Sequence, residues 1–266
     1  MQKKWQKKSR SAPEKTRKTK KTQRSPAKTT RINKYLHERG YCGRREADRL
    51  VERGVVFVND TRAVLGQQIG AHDTVRVHEK AYRDFVSRRV YVLLNKPKGY
   101  VSHNPLPHEK EAISLLPKPL RSAHLAPIGR LDKASRGLML FSNDGRIVDA
   151  LLNPDNKHEK EYEVEVNKTL TPTFMYRMEH GVPIEHYRTK PAILKKISST
   201  KFRLTLTEGK KHQIRRMCMS LGYHVTDLKR VRIGTLHLGN LKEGSSRSLM
   251  PEEIRLLRKV ISSRDL

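Results

Sequence analysis

One aspartate, Asp132, stands in the stretch APIGRLDKASRGLML, two residues after Arg130 and between a proline-glycine turn and an apolar run. A carboxylate near a fixed guanidinium stays ionised even when shielded from water, because the opposite charge lowers its pKa while burial raises it. Such a group can act as nucleophile or base without metal or cofactor. Arg130 can extend from the same turn toward phosphate or stack on a base. The same spacing suits a purely structural aspartate in a turn, so the rest of the chain has to separate the two.

A guanidinium partner is offered by LTEGKKHQIRRMCMSLG. Ile214, Met217, Cys218 and Leu221 recur at i, i+3, i+4 and i+7, which predicts a helix that buries this face and stops at Gly222. Arg215 lies one residue off that stripe with no helical acid within four residues, so it needs an anion from elsewhere in the fold, and Asp132 is the candidate. Gly209, Lys210 and Lys211 lead into the helix N-terminus, where free N–H groups already favour anions. In KEYEVEVN the period of two sets Tyr162, Val164 and Val166 on one face and Glu161, Glu163 and Glu165 on the other. Tyr162 therefore points inward, as a core residue or as a phenol at a strand end facing a cleft.

The elements that must position these groups lie in a chain of 266 residues with a formal charge of +30. That length suits two domains, or one with extensions, and the lysine and arginine surplus attracts polyanions and releases their counterions. Nucleic acid is the first partner to consider. Cys42 and Cys218, each in a helical pattern and far apart, argue against a disulfide framework or a four-ligand zinc site. Neither a GxxxxGK[ST] loop nor a GxGxxG turn occurs, so no cofactor is expected. No apolar run approaches the ~18 residues that span a bilayer, and the start lacks a signal-peptide core. A cytoplasmic protein without a membrane partner is expected.

Residues 1–29 are rich in Lys and Arg with Glu14 as their acid, which predicts a disordered basic tail, RNA-contacting or merely solubilising. Over 30–87, Ile32, Tyr35 and Leu36, then Ala47, Leu50 and Val51, predict two short helices closed by Gly40 and Gly54. VVFVN, TRAVLG and TVRV follow as short strands. Arg31, Lys34, Arg44, Arg45 and Arg49 lie off the apolar stripe, as phosphate donors or as a solvated face. Over 88–266, VYVLLN reads as a buried strand ending in the turn NKPKG, and GLMLFS as another closed by NDG. Ile147, Val148, Leu151 and Leu152 follow at helical spacing, Thr171-Pro172 opens a further helix, and KFRLTLT alternates as a strand. Without a regular βαβ repeat, the fold class is α+β: a small domain of a helix pair plus short strands, then a mixed, mostly antiparallel sheet with flanking helices.

These residues carry two resemblances. RINKYLHERGYCGRREADRLVERGVVFVND resembles the S4 RNA-binding domain, in which the position before Arg44 is usually a serine N-cap; Gly43 stands there as a weaker one. LLNKPKGYVS, PIGRLDKASRGLMLFSNDG, HEKEYEVEV and EGKKHQIRRMCMSLGYHV resemble the ribosomal RNA pseudouridine synthases of the branch that includes RsuA, RluB, RluE and RluF. HEKEY and QIRRMC are most similar to the large-subunit enzymes of type F. The resemblance implies a cofactor-free, metal-free monomeric isomerase that converts uridine to pseudouridine in ribosomal RNA, 23S in particular, with 16S RNA or tRNA as alternatives. It implies Asp132 as the catalytic aspartate, Arg215 as its partner, and Tyr162 against a flipped base. It further implies Arg130 as a wedge in the RNA stack, with Leu131, Lys133, His212, Gln213 and Ile214 lining the RNA contact. A non-catalytic S4-type ribosome assembly factor is the rival reading; it leaves GRLD, KEY and HQIRRM unexplained.

Overall fold

The computed structural model describes residues 29–153 and 156–262. The tail read over 1–29 therefore lies outside the described residues, apart from Thr29. Two apolar runs set the centre of the fold. Tyr91–Lys96 and Arg136–Ser142 pair antiparallel, from Gly137 opposite Lys96 to Ser142 opposite Tyr91. Side chains alternate along a strand, so a run apolar at nearly every position must be covered on both faces. Val92, Leu94, Met139 and Phe141 enter one core, and Tyr91, Leu93, Leu138 and Leu140 enter another on the opposite face.

Around this pair the sheet runs Ile193–Lys196, Lys201–Leu206, Lys160–Val166, Val225–Ile233, Arg136–Ser142, Tyr91–Lys96 and Ser246–Ser248. Ala126–Ile128 adds to Arg136–Ser142, and Leu236–His237 to Val225–Ile233. Arg136–Ser142 and Val225–Ile233 are parallel, whereas the other pairs of this sheet are antiparallel, as expected. Phe174 and Met178 from Pro172–Glu179, with Ile214, Met217 and Cys218 from Gln213–Ser220, close the first core. Ile147 and Leu151 from Arg146–Leu152, with Leu257 from Pro251–Ser262, close the second. Each such side chain contributes roughly 1.5–3 kcal/mol on leaving water.

A third core holds Ile32, Leu36, Ala47, Leu50, Val51, Val56, Val58 and Ile69. It joins the helices Ile32–Glu38 and Arg44–Glu52 to a small sheet of Thr61–Arg62, Val56–Val58 and Val75–Val77. TRAVLG supplies only Thr61–Arg62 as strand, because Val64 and Leu65 face solvent. The helix Glu79–Ser87 was not among the expected elements; none of its residues is fully buried, although Tyr82 and Phe85 pack against this core. Two placements differ from the sequence reading. Lys96 belongs not to the NKPKG turn but to the end of the strand, where it is fully buried. Cys42 sits in the loop between the first two helices; both cysteines are free and buried. No helix among the described residues is long and apolar enough to cross a membrane.

Candidate active site

The loop carrying Asp132 connects Ala126–Ile128 to Arg136–Ser142, and it is tied down residue by residue. Ser102 Oγ donates to the Leu131 carbonyl at 2.6 Å and accepts from the Leu131 N–H at 2.9 Å. Ser135 N–H donates to the Asp132 carbonyl at 2.9 Å, closing a tight turn. Arg230, from the neighbouring parallel strand, donates from Nη1 to the Arg130 carbonyl at 3.3 Å and from Nε to the Leu138 carbonyl at 2.8 Å. Gly137 lets that strand approach: its φ is +105°, and a Cβ there would stand 2.3 Å from the Arg230 carbonyl oxygen. Ser102 and Arg230 were not among the expected site residues. For Arg230 a signal existed, since period two sets it beside Leu228 on the buried face of its strand, where a charge demands a reason.

A cleft of about 630 Å³ opens above this loop. Arg130, Leu131, Asp132, Lys133, Tyr162, Lys210, Lys211, His212, Gln213, Ile214 and Arg215 all line it, joined by Ser102, Lys160, Glu208 and Arg230. Arg31, Lys34, Arg44, Arg45 and Arg49 do not; they belong to the small helical region, with Arg49 half-buried and the others exposed.

Within the cleft the pairing differs from the expectation. Asp132 Oδ1 lies 3.4 Å from His212 Nε2, not against Arg215. The Arg215 guanidinium is taken up by three other acceptors: the Ala134 carbonyl at 3.1 Å, the Val225 carbonyl at 3.2 Å and Ser135 Oγ at 3.4 Å. Arg215 thus braces the backbone just after Asp132 rather than its carboxylate. The buried Lys96 also feels the Asp132 charge; its Nζ donates to the Tyr100 and Pro97 carbonyls at 2.7 and 2.9 Å. Burial drives the Lys96 pKa down to about 8, with the Asp132 charge acting against that fall.

Tyr162 keeps its predicted face, 9% exposed in the first core. The glutamates opposite it pair outward, Glu163 with Arg203 at 2.7 Å and Glu161 with Arg232 at 3.1 Å. Leu131, Gln213 and Ile214 were expected at the RNA contact, but the structure buries all three. The Gln213 side chain donates to Glu208 Oε1 at 2.5 Å and accepts from the Lys210 N–H at 2.9 Å, so it shapes the lysine loop. Glu208 also accepts from the Lys190 N–H, so among the described residues Asp132 is the cleft-lining acid that takes no backbone or amide donor.

The profile of the RNA pseudouridylate synthase family matches residues 90–220. The chain is 42% identical over 234 residues to the dual-specificity RNA pseudouridine synthase RluF of Salmonella typhi, covering 88% of this chain and 80% of that protein. It is 32% identical to the ribosomal large subunit pseudouridine synthase B of Bacillus subtilis (strain 168), covering 86% and 95%. Among solved structures, a pseudouridylate synthase crystal structure superposes with a TM-score of 0.63 at 28% identity, over 85% of this chain and 99% of the other.

Proposed function

Because the chain belongs to the RNA pseudouridine synthase family, we propose that it isomerises uridine in large-subunit (23S) ribosomal RNA, with Asp132 as the carboxylate acting at the sugar. The observation that carries this reading is the position of Asp132: half-exposed in a cation-lined cleft, on a loop braced by Ser102, Arg215 and Arg230, with Tyr162 lining the same cleft.

The reaction breaks N1–C1′, turns the base and joins C5 to C1′; the C5 proton leaves and N1 gains one, so no atom is lost overall. Asp132 attacks or deprotonates the sugar, and Tyr162 packs on the base and assists removal of the C5 proton. The detached uracil is anionic, and Lys160 and Arg230, both nearly buried on the cleft wall, stabilise it better than mobile water does. A uridine must leave its stack to enter, at a cost of a few kcal/mol. Arg130, exposed at the mouth, fills the gap. The region over 30–87 acts as an S4-like RNA-binding domain, presenting Arg31, Lys34, Arg44, Arg45 and Arg49 to phosphates in the cytoplasm.

The test is pseudouridine mapping in 23S RNA, 16S RNA and tRNA from cells lacking the protein, before and after adding it in purified form. Uridines in 23S RNA converted only after addition support the reading. Unchanged maps in all three RNAs overturn it.

A further inference from the structure

The seam between the small helical region and the catalytic sheet is built around one carboxylate. Glu46, 2% exposed, accepts at Oε2 from the Gly43 N–H at 2.7 Å and from the Gly145 N–H at 2.6 Å. Gly43 precedes the helix Arg44–Glu52, and Gly145 precedes the helix Arg146–Leu152. One oxygen therefore joins backbone from both sides. The two glycines also touch: a Cβ on Gly43 would lie 2.6 Å from Gly145 Cα, and one on Gly145 would lie 2.7 Å from Gly43 Cα. Both have negative φ, so glycine is required here by proximity rather than by backbone conformation. A serine cap in place of Gly43 would wedge the seam open. Around the pin, Arg89 donates to the Tyr41 carbonyl at 2.9 Å, and His37 Nε2 meets Asp149 Oδ2 at 2.9 Å.

The seam is mechanically connected to the cleft. The strand Arg136–Ser142 begins just after the Asp132 loop and ends three residues before Gly145. At ~3.3 Å per residue it is a stiff rod of roughly 20 Å between the two. We propose that the Glu46 pin and the Gly43–Gly145 contact fix the angle at which the helical region presents its RNA to the cleft, and so select which uridine of a large folded RNA reaches Asp132. The inference rests on the enzymatic reading above. Glu46 is a positioning residue: it acts through the angle between two bodies and touches no substrate.

Gly145→Ala in the full chain inserts one methyl group into the seam, at a position outside all three cores. Spin labels at Thr61→Cys and Lys195→Cys report the angle. Turnover is read on in vitro transcribed 23S RNA and on a short fragment around a uridine that the wild type modifies. The expected result is a shifted or broadened label distance, kcat/KM on the long RNA reduced at least about tenfold, and kcat on the fragment unchanged. Glu46→Gln, which keeps an acceptor oxygen, is expected to restore most of what Glu46→Ala loses on the long RNA. An unmoved label distance in Gly145→Ala overturns the pin, and a moved distance with unchanged uridine selection overturns its role. A wild type that modifies no uridine of the long RNA sinks the enzymatic reading and uridine selection with it, whereas the label distance tests the pin by itself.

Discussion

Arg230 holds the backbone of Arg130: its Nη1 donates to that carbonyl at 3.3 Å from a strand on which the side chain is 3% exposed. Among the described residues its Nη2 has no hydrogen-bond partner, although Arg230 lines the cleft. A buried guanidinium bonded to carbonyls alone is a poor way to gain stability, since it loses its hydration without a counter-charge. Its value lies in the loop it fixes and in the donor it leaves at the cleft.

Arg230→Leu separates these effects. Two carbonyls lose their donor, which costs about 1–3 kcal/mol, partly offset by the apolar replacement. Turnover falls further, about a hundredfold, because the Asp132 loop loses its brace. Urea denaturation and single-turnover assays on one preparation measure both. A destabilised variant with wild-type turnover would remove Arg230 from the site.

Asp132→Asn keeps the shape of the side chain and removes its charge. Tritium release from 5-tritiated uridine in RNA is expected to drop below detection, at least about a thousandfold, while RNA affinity stays near wild type. Retained turnover would refute Asp132 as the reacting group. Loss of affinity and turnover together would recast it as a structural residue of the loop.

The helix Gln213–Ser220 and the strand Lys160–Val166 were legible because each buries one face, and a one-sided face writes its period into the sequence. That Asp132 and Tyr162 would line one cleft was legible through the order of their motifs. The partner of Asp132 was not. Which side chain meets a carboxylate depends on the path of a loop, and here His212, just before the helix with φ at +51°, reaches Asp132 while Arg215 is claimed by carbonyls. Gly43 read as a weakened cap for the same reason: the Gly145 backbone against it is 102 residues away. Spacing along one segment carries no record of such an approach.

Lys96 predicts a pH dependence. Burial lowers its pKa in the folded protein from 10.5 to about 8. Below pH 8 the folded state carries the cost of a buried ammonium; between about 8 and 10.5 the unfolded chain holds more protons, so stability rises with pH. The gain is at most about 3 kcal/mol. Lys96→Met lacks this titration. Urea denaturation of both proteins at pH 7.5 and 10 should show the wild type gaining on the variant as pH rises, and parallel behaviour would mean that Lys96 stays protonated throughout.

Arg44 and Arg45 test the helical region apart from the chemistry. Both are exposed at the start of the helix Arg44–Glu52, and neither has a carboxylate within ion-pair distance among the described residues. If they meet phosphates, each releases roughly one counterion on binding, and log K falls with log salt by about 0.7–0.9 per contact. The double variant Arg44→Ala/Arg45→Ala should therefore flatten the salt dependence of RNA affinity by about 1.5, measured by filter binding between 50 and 200 mM salt. Its kcat on a short fragment should hold, because neither residue lines the cleft. An unchanged salt slope would leave these arginines as a solvated surface and move the RNA contact of this region elsewhere.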